Sequence, residues 1–422
     1  MWETASLAPA CLPPRGRADA TVFGERAGDA SPAVRRAEAA ILTASLALTA
    51  LGIVMIYSTS GVLAERFGSA TLLVGRQAAW AVVAAAALVL ARGIDYHLYA
   101  RLRKPVLVAT VALLILVLVP GVGSRFNGAR RWIRFAGGGL QPSDVAKLGV
   151  LIYLAGFLDQ KRMLLDEWRR GFLPPFLVLG IVVGLVAAEP DIGTATLIAC
   201  VGAAMLVIGG VRLRHLVPAG LIVVPLAACY VIVRFAYVWE RVRDHFDPSA
   251  DPLGKGYQAR QSLIALASGG AFGRGLGNGS QKHFFLPDAH TDFIFSIVGE
   301  ELGFVGAVAV AFAFAAILLA CWRIAAAAPD RTGAFLAVGV GLWVGLQAAL
   351  NIAVVTALVP TTGIPLPMVS YGGSALVVTA FALGVVLNVA GHGIDPPRRG
   401  LGWYSHTQTA CTGTRAAVRT AV

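Results

Sequence analysis

QKHFFLPDAHTDFIFSIVGEELG, from Gln281 to Gly303, passes from a polar loop into an apolar run that continues to about Cys321. Such a run is too long for a helix of a soluble core and fits a membrane span. Asp292 stands at the passage. Lipid tolerates unpaired charge poorly, so an ionisable group at the mouth of a span is a functional candidate by default. Two readings compete for it: a cap on the helix that follows, or a reactive carboxylate. Ser296 and Glu300 follow at i+4 and i+8, one polar stripe down an otherwise apolar helix headed by Asp292. Gly299 and Gly303 repeat at the same spacing, as small residues do where another helix packs closely. The stripe is expected to face the bundle interior or an aqueous cleft. Glu301 reads as a second polar group bonded within the bundle, and His290 as a positioning or loop residue rather than a metal ligand.

Composition puts the rest of the chain in the same setting. Of 422 residues, 57% are hydrophobic and 14% charged, with mean hydropathy +0.72; a soluble chain carries about a quarter charged residues. The expectation is an all-α polytopic membrane protein of about ten transmembrane helices. The apolar runs lie near Ala39 to Tyr57, Ala70 to Leu90, Pro105 to Val122, Ser143 to Phe157 and Phe172 to Ala188. The others lie near Ile192 to Gly210, Leu216 to Ala236, Phe293 to Cys321, Gly333 to Leu358 and Ser374 to Gly391. A large external loop separates spans seven and eight.

Charge sets the orientation, because short cytoplasmic loops are enriched in Lys and Arg. With both termini inside, the cytoplasmic connections carry Arg92, Arg101, Arg103 and Lys104; Lys161, Arg162, Arg169 and Arg170; Arg212 and Arg214; and Arg323 and Arg331, followed by Arg398 and Arg399 in the tail. Two external loops break the rule. Arg125, Arg130, Arg131 and Arg134 lie on one, and Arg241, Arg243, Lys255, Arg260, Arg274 and Lys282 on the other. Basic groups on the translocated side call for an anionic partner. The net charge of +12 therefore reads as topology plus an external anion site, not as nucleic-acid binding.

Residues 1–36, rich in Ala, Pro, Gly and Arg, read as a disordered cytoplasmic segment rather than a cleavable signal. The membrane domain covers 37–395, and 396–422 form a cytoplasmic tail. Cys11, Cys200, Cys229, Cys321 and Cys411 are scattered without metal or disulfide spacing.

The external loop from about Tyr237 to His290 is on the order of fifty residues, far beyond an ordinary connection. It holds KGYQARQS from Lys255 to Ser262, then Gly269, Gly270, Gly273, Gly275, Gly277 and Gly279. Such glycines suit a flexible turn, or backbone amides that approach a phosphate. From Asn127 the chain reads NGARRWIRFAGGGLQPSDVAKL. Arg130, Arg131 and Trp132 suit a segment in the headgroup layer, as an interfacial anchor or as ligand contacts. Ser143 after Pro142 looks like a helix N-cap, and Lys147, one turn into the span, either snorkels outward or faces inward towards a carboxylate or phosphate. In Glu189-Pro-Asp-Ile-Gly-Thr194, Asp191 reads as the cap of the next helix. The loop from Val359 to Ser374, with three prolines and three glycines, cannot be a regular helix and is expected to fold against protein or wall a groove.

Taken in order, NGARRWI with QPSDVAKL, EPDIGT, KGYQARQS with the glycine stretch, QKHFFLPD, AHTDFIFSIVGEELG and PTTGIPLPMVSYGGS resemble the SEDS family, ten-span membrane proteins for shape, elongation, division and sporulation typified by FtsW and RodA. The resemblance runs from about Ile41 to Gly391; GEELG and GLGNGSQK lean towards FtsW, while PTTGIPLPMVSYGG suits a RodA equally well. It implies a peptidoglycan glycosyltransferase that polymerises lipid II at the outer face of the bacterial cytoplasmic membrane. Asp292 matches the family's essential acid and becomes the expected general base, taking a proton from the attacking sugar hydroxyl. Arg130, Arg131, Lys147, Lys255 and Lys282, with amides at Gly273 and Gly275, are candidates for holding the diphosphate leaving group. Trp132, Gln258, Gln261, Ser262, His290, Thr291, Glu300, Ser370 and Tyr371, all on matched motifs, complete the substrate-contact candidates. The family needs no organic cofactor; a divalent cation on the diphosphate is compatible with it, although no ligand cluster predicts one. The implied partners are lipid II, a class B penicillin-binding protein transpeptidase, divisome or elongasome membrane proteins, and membrane lipid. A lipid II flippase, or a scaffold that activates the transpeptidase, are the alternatives.

Overall fold

The computed structural model describes residues 30–67, 70–126, 129–135, 138–234, 236–246, 255–282, 286–287 and 289–394. Its helices are α1 (Ala30–Phe67), α2 (Ala70–Gly93), α3 (Tyr96–Arg101), α4 (Arg103–Leu118), α5 (Pro142–Gln160), α6 (Leu173–Ala188), α7 (Ile192–Gly209) and α8 (Leu213–Arg234). They continue with α9 (Ala236–Phe246), α10 (Lys255–Gly269), α11 (Ile294–Ala326), α12 (Arg331–Val355) and α13 (Gly373–Ile394). Among the described residues, eight helical segments are long and apolar enough to cross a membrane. They fall on α1, α2, α6 with the π-helical turn before it, α7, α8, α11, α12 and α13. The other two segments expected to span are α4, of 16 residues, and α5, of 19.

The helical membrane fold is as expected, and four local points differ. Between α4 and α5, β1 (Gly123–Phe126), β2 (Ala129–Phe135) and β3 (Gly138–Leu140) form an antiparallel meander. Arg130 to Arg134, read only as an interfacial segment, therefore lie on a strand, where alternation and β-branched or aromatic neighbours favour pairing. Secondly, α1 begins at Ala30, inside the segment read as disordered, because Pro32 is tolerated in a first turn and Ala33, Ala37, Ala39 and Ala40 favour helix. Residues 1–29 and the tail from 395 lie outside the described residues. Thirdly, Ser143 is not the cap of α5; Gln141 occupies that position and Pro142 the first turn. Finally, the long connection is built rather than loose, since it contains α9 and α10.

Other local signals hold. Asp191 caps α7, accepting from Thr194 N at 3.3 Å, and Asp330 caps α12, accepting from Gly333 N at 2.7 Å. Small residues let elements touch: an added Cβ at Gly373 would strike the Trp80 ring, and one at Gly52 would lie 2.6 Å from Val369 O. The core runs through α5, α7, α12 and α13, where Leu154, Leu206, Val344 and Val386 are fully buried. At one end of the bundle, Tyr96 and His97 bond Asp330 while Asn388 bridges Tyr96 and Arg92. At the other end the sheet, the α6–α7 turn, the loop before α11 and the loop before α13 come together.

Candidate active site

Asp292 lies in a turn, one residue before Phe293, the N-cap of α11, which makes no side-chain cap bond. Its main chain is gripped residue by residue. The His290 carbonyl accepts from Tyr371 N at 3.0 Å, the Thr291 carbonyl from Ser370 Oγ at 2.6 Å, and the Asp292 carbonyl from Asn351 Nδ2 at 2.8 Å. The loop that supplies Ser370 and Tyr371 is pinned in turn: Leu366 N donates to Ser370 Oγ, Gln347 Nε2 to Pro365 O, and Asn351 Nδ2 to Ile364 O at 2.8 Å. It folds against protein as expected, with Ile364, Leu366, Met368 and Val369 buried.

The Asp292 carboxylate reaches that loop. A Cβ built on Gly363 would stand 3.6 Å from Asp292 Oδ2, and Gly363 has φ +76, a conformation few other residues adopt. On either side of it, Thr362 and Ile364 line a groove of about 130 Å³ with Pro190, Gly193, Thr196 and Arg241. Arg241 donates to Thr361 O at 2.9 Å. A half-buried acid against the loop that walls this groove, with a guanidinium lining the same groove, is suited to proton transfer on an anionic ligand.

The polar stripe is real but serves another purpose. Ser296 Oγ lies 2.7 Å from Ser262 Oγ, which also donates to Val355 O. Glu300 is fully buried and accepts from Ser280 N at 2.8 Å, Ser280 Oγ at 2.9 Å and Gln281 N at 3.2 Å. Gly303 is not simply a packing glycine: at φ 73, ψ −170 it breaks α11 in two. The glycine-rich segment docks on this break, through Arg274 N to Glu300 O, Gly275 N to Glu301 O, Phe304 N to Gly270 O and Val305 N to Ala271 O. An added Cβ on Gly273, φ +80, would lie 2.7 Å from Gly303 N.

Several expected diphosphate contacts are thereby corrected. The amides of Gly273 and Gly275 already donate to Gly269 O and Glu301 O. Lys282 uses all three ammonium protons inside the fold, on Glu301 Oε1 at 2.9 Å, Ser58 Oγ at 2.9 Å and Gly277 O at 2.6 Å. Lys147 faces inward and finds a carboxylate in its own helix, Asp144 Oδ1 at 2.8 Å, with Gln347 Oε1 at 3.3 Å and the Trp343 ring beneath it. Glu300 and Ser262 are buried and bonded, hence braces rather than ligand contacts. Glu301 is bonded within the bundle, as read from its position.

Arg130 donates to Leu118 O, and Arg131 to Glu189 O and Pro190 O, so the guanidiniums tie β2 to the ends of α4 and α6 with some of their five donors each. Trp132, half-buried, lies across Gly139 on the neighbouring strand. Gln258 and Gln261 are half-buried on α10, and the Lys255 side chain lies outside the described residues. The His290 and Tyr371 rings stand 6.1 Å apart. Beneath Arg131, burial pushes the Glu189 carboxyl up to about 9, with Asp191 and Asp144 adding to the rise and Arg131 opposing it. Thus the structure gathers Asp292, His290, Thr291, Ser370 and Tyr371. It adds two residues the sequence reading passed over, Asn351 and Gly363. The signal for Asn351 was its place with Gln347, four residues apart in an otherwise apolar span.

The chain as a whole has known counterparts. The FtsW/RodA/SpoVE model of cell cycle proteins matches residues 38–393. The chain belongs to this family. A probable peptidoglycan glycosyltransferase FtsW of Trichlorobacter lovleyi is 42% identical over 351 residues, covering 83% of this chain and 92% of the relative. Stage V sporulation protein E of Bacillus subtilis is 40% identical over 351 residues, covering 82% and 94%. Among solved structures, one described as structural coordination of polymerization and crosslinking by a peptidoglycan synthase complex aligns with TM-score 0.68 and 29% identity, over 84% of this chain and 98% of that one. Thermus thermophilus rod shape determining protein RodA aligns with TM-score 0.61 and 28% identity, over 83% and 96%. As an FtsW/RodA/SpoVE protein with several long apolar helices, the chain is a multi-pass membrane protein.

Proposed function

We propose that the protein is a peptidoglycan glycosyltransferase that polymerises lipid II at the outer face of the bacterial cytoplasmic membrane during cell division, with both termini in the cytoplasm. Asp292 is the general base. It takes the proton of the acceptor hydroxyl as that oxygen attacks the anomeric carbon of the donor, and undecaprenyl diphosphate leaves from the opposite face with inversion. The observation that carries this reading is the approach of Asp292 Oδ2 to Gly363, whose neighbours Thr362 and Ile364 line the groove. Family membership and the relatives' names support it.

The leaving diphosphate needs cationic donors where charge develops. With Lys147 and Lys282 bonded inside the fold, that role passes to Arg130, Arg131 and Arg241, the last of which lines the groove. No organic cofactor enters this chemistry, and a divalent cation would travel with the diphosphate. A class B penicillin-binding protein belongs to the same reading, supported by the likeness to a synthase complex that couples polymerization to crosslinking. The test is purified protein, alone and with that transpeptidase, on fluorescently labelled lipid II. Glycan polymer on a gel is expected. Transbilayer movement of lipid II without polymer would replace this reading with transport, and crosslinking support with neither would leave a scaffold.

A further inference from the structure

Asn351 is placed where a purely structural residue would be apolar. It lies in the last turns of α12, a span whose interior is hydrophobic, and is 1% exposed. Its amide has two protons, and both are committed: one to Asp292 O and one to Ile364 O, each at 2.8 Å. Its Oδ1 is buried without a hydrogen-bond partner, a desolvation cost that a residue selected for packing alone would not carry. The two carbonyls it joins belong to the two walls of the candidate site. One is the main chain of the acid itself; the other follows Gly363, the residue the carboxylate approaches. One turn earlier on the same helix face, Gln347 holds Pro365 O at 2.9 Å.

We propose that Asn351 is a positioning residue for Asp292, a clip that sets the distance between the carboxylate and the Gly363 rim of the groove. This rests on Asp292 as the base of the proposed reaction. A base acts only within hydrogen-bond reach of the proton it removes, and a misplacement of about 1 Å costs on the order of a hundredfold in rate. Ser370, holding the preceding carbonyl, is the weaker second point of the same clip.

The experiment uses the full chain in detergent with labelled lipid II. Asn351→Leu keeps nearly the same volume, removes both donations and also removes the orphaned Oδ1, so the span stays packed. The expected result is a kcat lowered roughly 10- to 100-fold with KM for lipid II little changed, and a fall in melting temperature no larger than two lost donations to main-chain carbonyls explain. Ser370→Ala should show the same split to a smaller extent, and it carries the test should Asn351→Leu fail to fold. Asp292→Asn is run beside them. Activity surviving there refutes the base and the clip with it. Loss there, with wild-type kcat in Asn351→Leu and Ser370→Ala, refutes the clip alone. A loss of kcat that merely follows a fall in melting temperature in both variants also refutes it, because it assigns Asn351 to bundle stability.

Discussion

Gly303→Ala should undo the platform behind the candidate site. Gly303 adopts φ 73, ψ −170, a region that costs a residue with a side chain about 1–3 kcal/mol. The new methyl would sit 2.6 Å from Ala271 O and 2.6 Å from Phe272 C, with Gly273 N closer still. All three are main-chain atoms, so no side chain can swing aside. Relief requires the glycine segment to lift, and four main-chain hydrogen bonds join it to Glu300, Glu301, Phe304 and Val305. At about 1 kcal/mol net for each bond lost, loss of two or three with the strain gives roughly 3–6 kcal/mol. Gly184→Ala is the matched control, because a Cβ there meets nothing within 4 Å and α6 is ordinary helix. It should be neutral or stabilising by up to about 1 kcal/mol. Thermal unfolding followed by tryptophan fluorescence, in one detergent, compares the two. Limited proteolysis between residues 270 and 282 shows whether the loop has lifted. A Gly303→Ala protein that melts within about 2 °C of wild type and resists cleavage equally would refute this account of the break in α11.

Two further outcomes follow from buried charge. Lys282→Met leaves Glu301, fully buried, without its cation, and removal of one member of such a pair costs about 3–5 kcal/mol; Lys282→Met with Glu301→Leu should recover much of the lost melting temperature, whereas equal losses in single and double variants would contradict a coupled pair. Glu189 is pushed up to about 9 from 4.5, so between those values the folded protein holds a proton that the unfolded chain releases. Stability from this group is present at low pH and is lost as pH rises through that window. Glu189→Gln lacks the titration, and its melting temperature should gain on wild type steadily from pH 5 to about 9; a constant difference across that range would mean an ionised Glu189 in the fold.

The sequence was most legible where one residue type has one physical use. Asp191 could be read as a cap, the proline-rich loop as irregular chain folded on protein, and the long apolar runs as spans. Asp292 stood out because carboxylates are costly beside lipid. What could not be read was who holds whom. Lys282 looked like a free cation on an anion-binding loop, and the approach of α1, through Ser58, and of Glu301, together with Gly277 O of its own loop, consumes its three donors. Gly273 and Gly275 carried a phosphate-like spacing, yet their amides are spent on main-chain oxygens, of Gly269 within the same segment and of Glu301 on α11. The sheet at 123–140 was missed because short strands with arginines share their pattern with an interfacial segment. Asn351 sat in plain view, but its two partners come from different loops.

The central claim is that the Asp292 carboxylate removes the acceptor proton. Its most direct test is the initial rate of glycan polymerisation from labelled lipid II by purified wild-type and Asp292→Asn protein, matched for melting temperature and for lipid II binding. An amide cannot accept that proton at useful strength, and loss of a general base costs about 10²- to 10⁴-fold. A drop of that size with lipid II binding retained is the predicted result. Polymer formed by Asp292→Asn at a rate near wild type would contradict the account.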